Sequence, residues 1–122
     1  MPKYTDGFVL PVSKRKLKQY FQIAKQASKV WRDHGALAYM ECLGDDLKSA
    51  EGFALPFPKG IRLKPGETVV FSFIVYKSRA HRDKVNAAVM KDPRIAAMCT
   101  PENTPFDCKR MLYGGFKVMV EA

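Results

Sequence analysis

The ten residues Glu67–Tyr76, ETVVFSFIVY, constrain the fold more than any other stretch of the chain. Side chains on a strand alternate between its two faces. Val69, Phe71, Phe73 and Val75 therefore share one face, and Val70, Ser72, Ile74 and Tyr76 the other. A strand that is apolar at both parities needs cover on both sides. One layer of helices supplies one cover, and a second copy of the chain is expected to supply the other.

The rest of the chain fits around such a strand. Lys3–Val12 reads as a strand with Tyr4, Asp6, Phe8 and Leu10 on one face, a bulge or close approach at Gly7, and Pro11 ending the pairing. Ser13 is placed to cap a helix running to about Asp33, with Leu17, Tyr20, Phe21, Ala24, Ala27, Ser28 and Trp31 as its apolar stripe. Gly35 stops that helix, and Ala36–Leu43 reads as a second strand. Asp45–Gly66 is a long connection, fit to be a lid, a flap or a dimer arm, and its apolar GFALPFP run is expected to pack on something. Beyond the central strand, Ser78 caps a second helix to about Asp92, in which Val85, Ala88 and Val89 face inward. A short helix over Arg94–Met98 follows, and then a last strand, Met111–Val120.

The order strand, helix, strand, strand, helix, strand is the split βαβ, ferredoxin-like arrangement. It predicts an α+β fold: a four-stranded antiparallel sheet with both helices on one face, in a single domain over residues 1–122. The other face would leave Phe and Val side chains bare, a larger patch than a monomer normally exposes. Pairing two such faces about a twofold axis hides both and makes a dimeric α+β barrel.

Composition narrows the function classes. No run approaches the ~18 apolar residues of a membrane span, and the N-terminus lacks a signal-peptide pattern, so no membrane partner is expected. Cys42, Cys99 and Cys108 are an odd number without CxxC spacing. That speaks against a disulfide framework or a zinc site and fits a reducing cytoplasm. The net charge of +9, from 21 Lys and Arg against 12 Asp and Glu, suits either a solvated basic surface or an anionic partner such as RNA. A nucleic-acid role requires the lysines after Ser13 and those of Lys59–Lys64 to converge, and no RNA-binding motif accompanies them.

Several motifs, in order, resemble one family. PFDCKRMLYGGF (Pro105–Phe116), YTDGFVLPV (Tyr4–Val12), HGALAYMECLGDD (His34–Asp46) and KDPR (Lys91–Arg94) are similar to the YbaA-like family of small bacterial proteins of unknown function. The resemblance spans nearly the whole chain. It implies the dimeric α+β barrel superfamily, whose members include cofactor-free monooxygenases, haem-degrading enzymes and chlorite dismutase-like proteins. It transfers no catalytic residue.

Asp6 and Glu41 are carboxylates within apolar strands, where each must be paired, protonated or part of a site. Arg110, just before the last strand, is the expected partner, either in a structural ion pair or holding an anionic substrate beside a general base. Trp31, Tyr39, Tyr113 and Phe116 are candidate walls of a pocket between helices and sheet, or plain core. His34 is expected to cap the first helix and His81 to lie on the surface. Two histidines so far apart give no ligand spacing, so neither metal nor cofactor is predicted. Cys108, beside Lys109 and Arg110, has electropositive neighbours. The leading expectation is a homodimer binding or transforming a small organic anion. A nucleic-acid module and a fully packed structural protein are the alternatives.

Overall fold

The computed structural model describes residues 2–49, 52–98 and 100–122. Ala50, Glu51 and Cys99 lie outside the described residues. Four strands form one antiparallel sheet in the order β2-β3-β1-β4: β1 Tyr4–Ser13, β2 Ala38–Leu43, β3 Glu67–Tyr76 and β4 Leu112–Lys117. The helices are α1 Leu17–Asp33, α2 Phe57–Gly60, α3 Arg79–Met90 and α4 Pro93–Met98. This is the expected ferredoxin-like α+β arrangement. The sheet of the protomer is open, with β2 and β4 at its edges, so the protomer is not a closed barrel.

Register sorts the side chains into two layers. On the helix-facing side, Tyr39, Ile74 and Asp6 form one cross-strand row, and Glu41, Ser72, Phe8 and Tyr113 the next. Val70, Ile74 and Tyr76 are fully covered there, together with Leu10 and Val12 of β1. Two clusters meet them from above: Val30, Val85, Val89 and Ile95 toward one end, Tyr20 and Ala24 toward the other. Val30, outside the stripe expected of α1, belongs to the first cluster. The opposite face is apolar and bare: Met40, Phe71, Leu112 and Phe116 are all more than 40% exposed, and Phe73 leans on Phe71.

Local chemistry explains most element ends. Ser78 caps α3 by accepting the His81 amide at 3.1 Å. Gly35, at φ +112°, turns the chain off α1 as only glycine does readily. Ser13 makes no side-chain cap. It still belongs to β1, paired with Glu67, and a single 3₁₀ turn over Lys14–Lys16 separates it from α1. The Lys14 amide donates instead to the Gly66 carbonyl at 2.9 Å. Pro11 does not end β1. β4 stops opposite Val9, leaving one flank of β1 unpaired at Pro11, where a residue without an N–H is tolerated. The short α2 lies within the long connection, and the Phe53 and Leu55 side chains before it stay exposed.

The glycines of β1 and β4 accommodate rings, not bulges, because the β1–β4 register is continuous. The Phe116 ring lies over Gly7 and Gly114 on the bare face. On the helix side the Tyr4 ring crosses Gly115 so closely that an added Cβ would sit 2.5 Å from its hydroxyl oxygen and 2.8 Å from Cε2. Tyr4 is buried and carries the Arg82 guanidinium 4.9 Å from its ring centroid. Gly115→Ala should therefore cost about 1–3 kcal/mol in urea unfolding. Gly114→Ala, whose new methyl meets Phe116 at 3.4 Å, should be near neutral.

Candidate functional site

A cavity of ≈ 990 Å³ lies between the helices and the helix-facing side of the sheet. Its floor is the pair of cross-strand rows that carry Asp6, Ile74 and Tyr39, and Tyr113, Phe8, Ser72 and Glu41. Its roof includes Ala24, Ala27 and Trp31 of α1 and Asn86 of α3. The segment Thr100–Met111 closes one side with Phe106, whose ring meets Tyr20 edge-on at 5.7 Å. The volume suits a small organic molecule, and the lining is mostly apolar with a few converging polar groups, as in ligand sites generally.

The two carboxylates expected from the sequence both reach this cavity, in different states of neutralisation. Asp6 is essentially buried and fully partnered. Arg82 Nη1 donates to its Oδ1 at 2.6 Å, and the Tyr76 hydroxyl and Asn86 Nδ2 both lie 3.3 Å from its Oδ2. Arg82 Nη1 also donates to the Tyr113 hydroxyl at 3.1 Å. Asn86 in turn accepts from Trp31 Nε1 at 3.1 Å and from the Tyr76 hydroxyl at 3.1 Å.

Glu41 has no ion pair among the described residues. The Tyr20 hydroxyl donates to its Oε1 and the Tyr39 hydroxyl to its Oε2, each at 2.8 Å. Burial pushes the Glu41 carboxyl above the ordinary range, against the opposing effect of the bonds from Tyr20 and Tyr39. Burial, and then the charge of Glu41, likewise raises both tyrosine hydroxyls, so they remain donors at neutral pH.

Arg110 is not where the sequence suggested. It forks onto Glu67, Nη1 to Oε2 at 2.6 Å and Nη2 to Oε1 at 2.9 Å, and donates to the Arg62 carbonyl at 3.1 Å. It does not line the cavity. It ties the end of the long connection, where Arg62 adopts φ +54°, to the approach to β4. The cation beside Asp6 is instead Arg82, four residues before Asn86 on α3, a spacing that puts both on one face of the helix. Tyr20, on the stripe expected of α1, supplies the second donor to Glu41.

The remaining candidates fall outside the floor of the cavity. His34 follows the last residue of α1, and its Nε2 pairs with Asp92 Oδ2 at 2.8 Å. Bonds from Arg94 and His34 hold the Asp92 carboxyl well below its ordinary range. The half-buried His81 accepts the Lys77 amide on Nδ1. Among the described residues no cluster of His, Cys, Asp and Glu could hold a metal ion. Cys108 lines the cavity and is exposed. The basic turn Lys14–Lys16 does meet the end of the connection, through the Lys14 amide and the Gly66 carbonyl.

An open sheet of this order, with helices on one face and a ligand-sized cavity between the layers, defines a ferredoxin-like α+β protein. The fold is similar to the crystal structure of a dimeric ferredoxin-like protein from an uncultured marine organism, with a TM-score of 0.63, 14% identity and all of both chains covered. The chain belongs to the family described as protein of unknown function (DUF1428), which matches residues 3–108. It is 38% identical over 119 residues to the uncharacterized protein YbaA of Escherichia coli strain K12, covering 98% of each chain. YbaA of Escherichia coli O157:H7 and of Shigella flexneri match to the same extent.

Two predictions follow from the ion pairs. Arg82→Met strands a buried carboxylate and should cost about 3–5 kcal/mol. Adding Asp6→Asn should recover more than about 1 kcal/mol of it in a double-mutant cycle by urea unfolding. The second concerns pH. The bonds from Arg110 lower the Glu67 carboxyl from 4.5 to about 2, so its contribution is present above pH 4.5 and is lost as pH falls toward 2. The stability gap between wild type and Arg110→Ala should thus be constant near neutrality and shrink between those values. A pH series of melting temperatures checks it.

Proposed function

We propose that the protein is a homodimer that binds a small, largely apolar organic molecule in the cavity between its helices and its sheet, within a reducing cytoplasm. The cavity itself carries the reading. It is large, it is lined mainly by aromatic and aliphatic side chains, and its polar groups gather at two points on the floor, around Asp6 and around Glu41. A fully packed structural protein would have filled that space with side chains. The free, exposed Cys42 and Cys108 suit the compartment.

The homodimer rests on the other face of the sheet. Met40, Phe71, Leu112 and Phe116 come from three strands and form one exposed apolar surface. Such a face calls for cover, and the marine relative of the same fold is a dimer. In sedimentation, wild type should run as a dimer at micromolar concentration and Phe71→Lys should dissociate it. A wild-type monomer ends the assembly reading.

Trp31 lines the cavity and is the sole tryptophan of the chain, so its emission reports occupancy. Compounds from a library of small apolar molecules should raise the melting temperature and shift that emission. Ala27→Phe, which fills the roof, should fold and lose both responses. No stabilising compound, or equal binding by the filled variant, overturns the proposal.

A second reading is favoured by the Lys14 amide bonding to the Gly66 carbonyl, two residues beyond the Lys59–Lys64 segment, which brings both basic stretches near one end of the sheet: a basic patch for nucleic acid. Its binding to RNA would fall steeply with salt. Absence of RNA binding at low salt eliminates it.

A further inference from the structure

The charge of the cavity runs opposite to the charge of the protein. The chain carries 21 Lys and Arg against 12 Asp and Glu. The cavity wall nevertheless contains two carboxylates, Asp6 and Glu41, and no Lys, Arg or His among the described residues. The Asp6 charge is balanced by Arg82 at 2.6 Å, and both its oxygens are bonded. That leaves Glu41 as the one unbalanced charge facing the space.

The two hydrogen-bond donors to Glu41 are neutral: the hydroxyls of Tyr20 and Tyr39. They come from α1 and β2, so the carboxylate is held from two elements, one bond on each oxygen. Neutral donors orient a carboxylate but do not cancel its charge, and each of its oxygens keeps a free lone pair. A buried charge left in this condition is costly, and a cation brought to it would relieve that cost.

The walls near Glu41 suit a cation as well. Trp31 and Tyr39 stand 5.9 Å apart at 49°, and Tyr20 lies beside Phe106. Aromatic faces around a carboxylate are the surroundings in which an ammonium group is well held. An anionic ligand has no counter-charge here, because Arg110 is engaged with Glu67 outside the cavity and Arg82 is taken by Asp6.

Building on the cavity reading above, we infer that the ligand is an apolar amine, its ammonium group seated on Glu41 between Tyr20 and Tyr39 and its hydrocarbon body lying over Phe8 and Ile74. This makes Glu41 a specificity-determining residue, with Tyr20 and Tyr39 as its positioning residues.

The test uses three probes of one shape that differ only in charge: biphenylmethylamine, biphenylmethanol and biphenylcarboxylate, titrated calorimetrically into the full-length protein at neutral pH. The amine should bind at least about tenfold more tightly than the alcohol, and the carboxylate more weakly than either. Glu41→Gln keeps the shape and an acceptor for one tyrosine, while its Nε2 donates to the hydroxyl oxygen of the other. It should erase the preference for the amine while leaving the alcohol within about twofold, a fraction of the tenfold step. The wild-type ranking decides the matter even if that variant does not fold. An alcohol that matches the amine, a carboxylate that outranks the alcohol, or a Glu41→Gln protein that keeps the preference overturns the inference and leaves the cavity reading intact. Binding of none of the three by a protein that the broader library also fails to stabilise overturns both.

Discussion

A carboxylate in the middle of a strand, on the covered side of its sheet, has to be neutralised from the layer above. Asp6 imposes that requirement on this fold, and α3 answers it. Arg82 reaches down to Oδ1 while Asn86, one turn later, reaches Oδ2. Asn86 then accepts from Trp31 of α1, so the same group that satisfies Asp6 also ties the two long helices together. Burying this pair contributes little net stability by itself, since desolvation offsets the attraction. What it contributes is position: the helix cannot slide along the sheet without leaving a buried charge unpaired.

Glu41 meets the same problem with a different solution, and the difference comes from the layer over it. Above Asp6 stands a helix bearing a cation. Above Glu41 stands the first half of α1, whose inward residues Tyr20 and Ala24 bring only a hydroxyl. Desolvation there is answered by hydrogen bonds alone, and the carboxyl is raised accordingly. The two carboxylates thus divide the floor into a region neutralised by a cation and a region held by hydroxyls alone.

The sequence made the sheet legible and the roof only partly so. β3 was readable to the residue, because ten residues alternating apolar on both faces admit few other structures. Asp6 and Glu41 stood out for the same reason, as charges in apolar runs. Trp31, Tyr39, Tyr113 and Phe116 stood alike as candidate walls; the first three line the cavity, whereas Phe116 lies on the bare face, because strand alternation alone does not tell which parity of β4 meets the helices. Arg82 was not readable as the partner of Asp6. Its place over Asp6 depends on how α3 crosses the sheet, which local spacing does not encode, whereas Arg110 was conspicuous only for its nearness to a strand end. The FPKG turn at α2 left too short a pattern to register as a helix, and the Ser13 cap failed because pairing with Glu67 kept that residue in β1.

The cavity itself has a sequence cause that becomes visible once the layers are known. On the helix-facing side of β3 the large residues Val70, Ile74 and Tyr76 are interrupted by Ser72, and opposite them α1 offers Ala24 and Ala27 where its neighbours are Tyr20, Ile23 and Trp31. Small residues on both sides of one interlayer gap prevent the layers from interdigitating at that point, while larger ones on either side hold them apart. The other parity of β3 keeps its bulk throughout, in Val69, Phe71, Phe73 and Val75. One strand therefore has two different faces: the face broken by a serine leaves a cavity beneath the helices, and the unbroken one makes an apolar surface fit to be covered by another sheet.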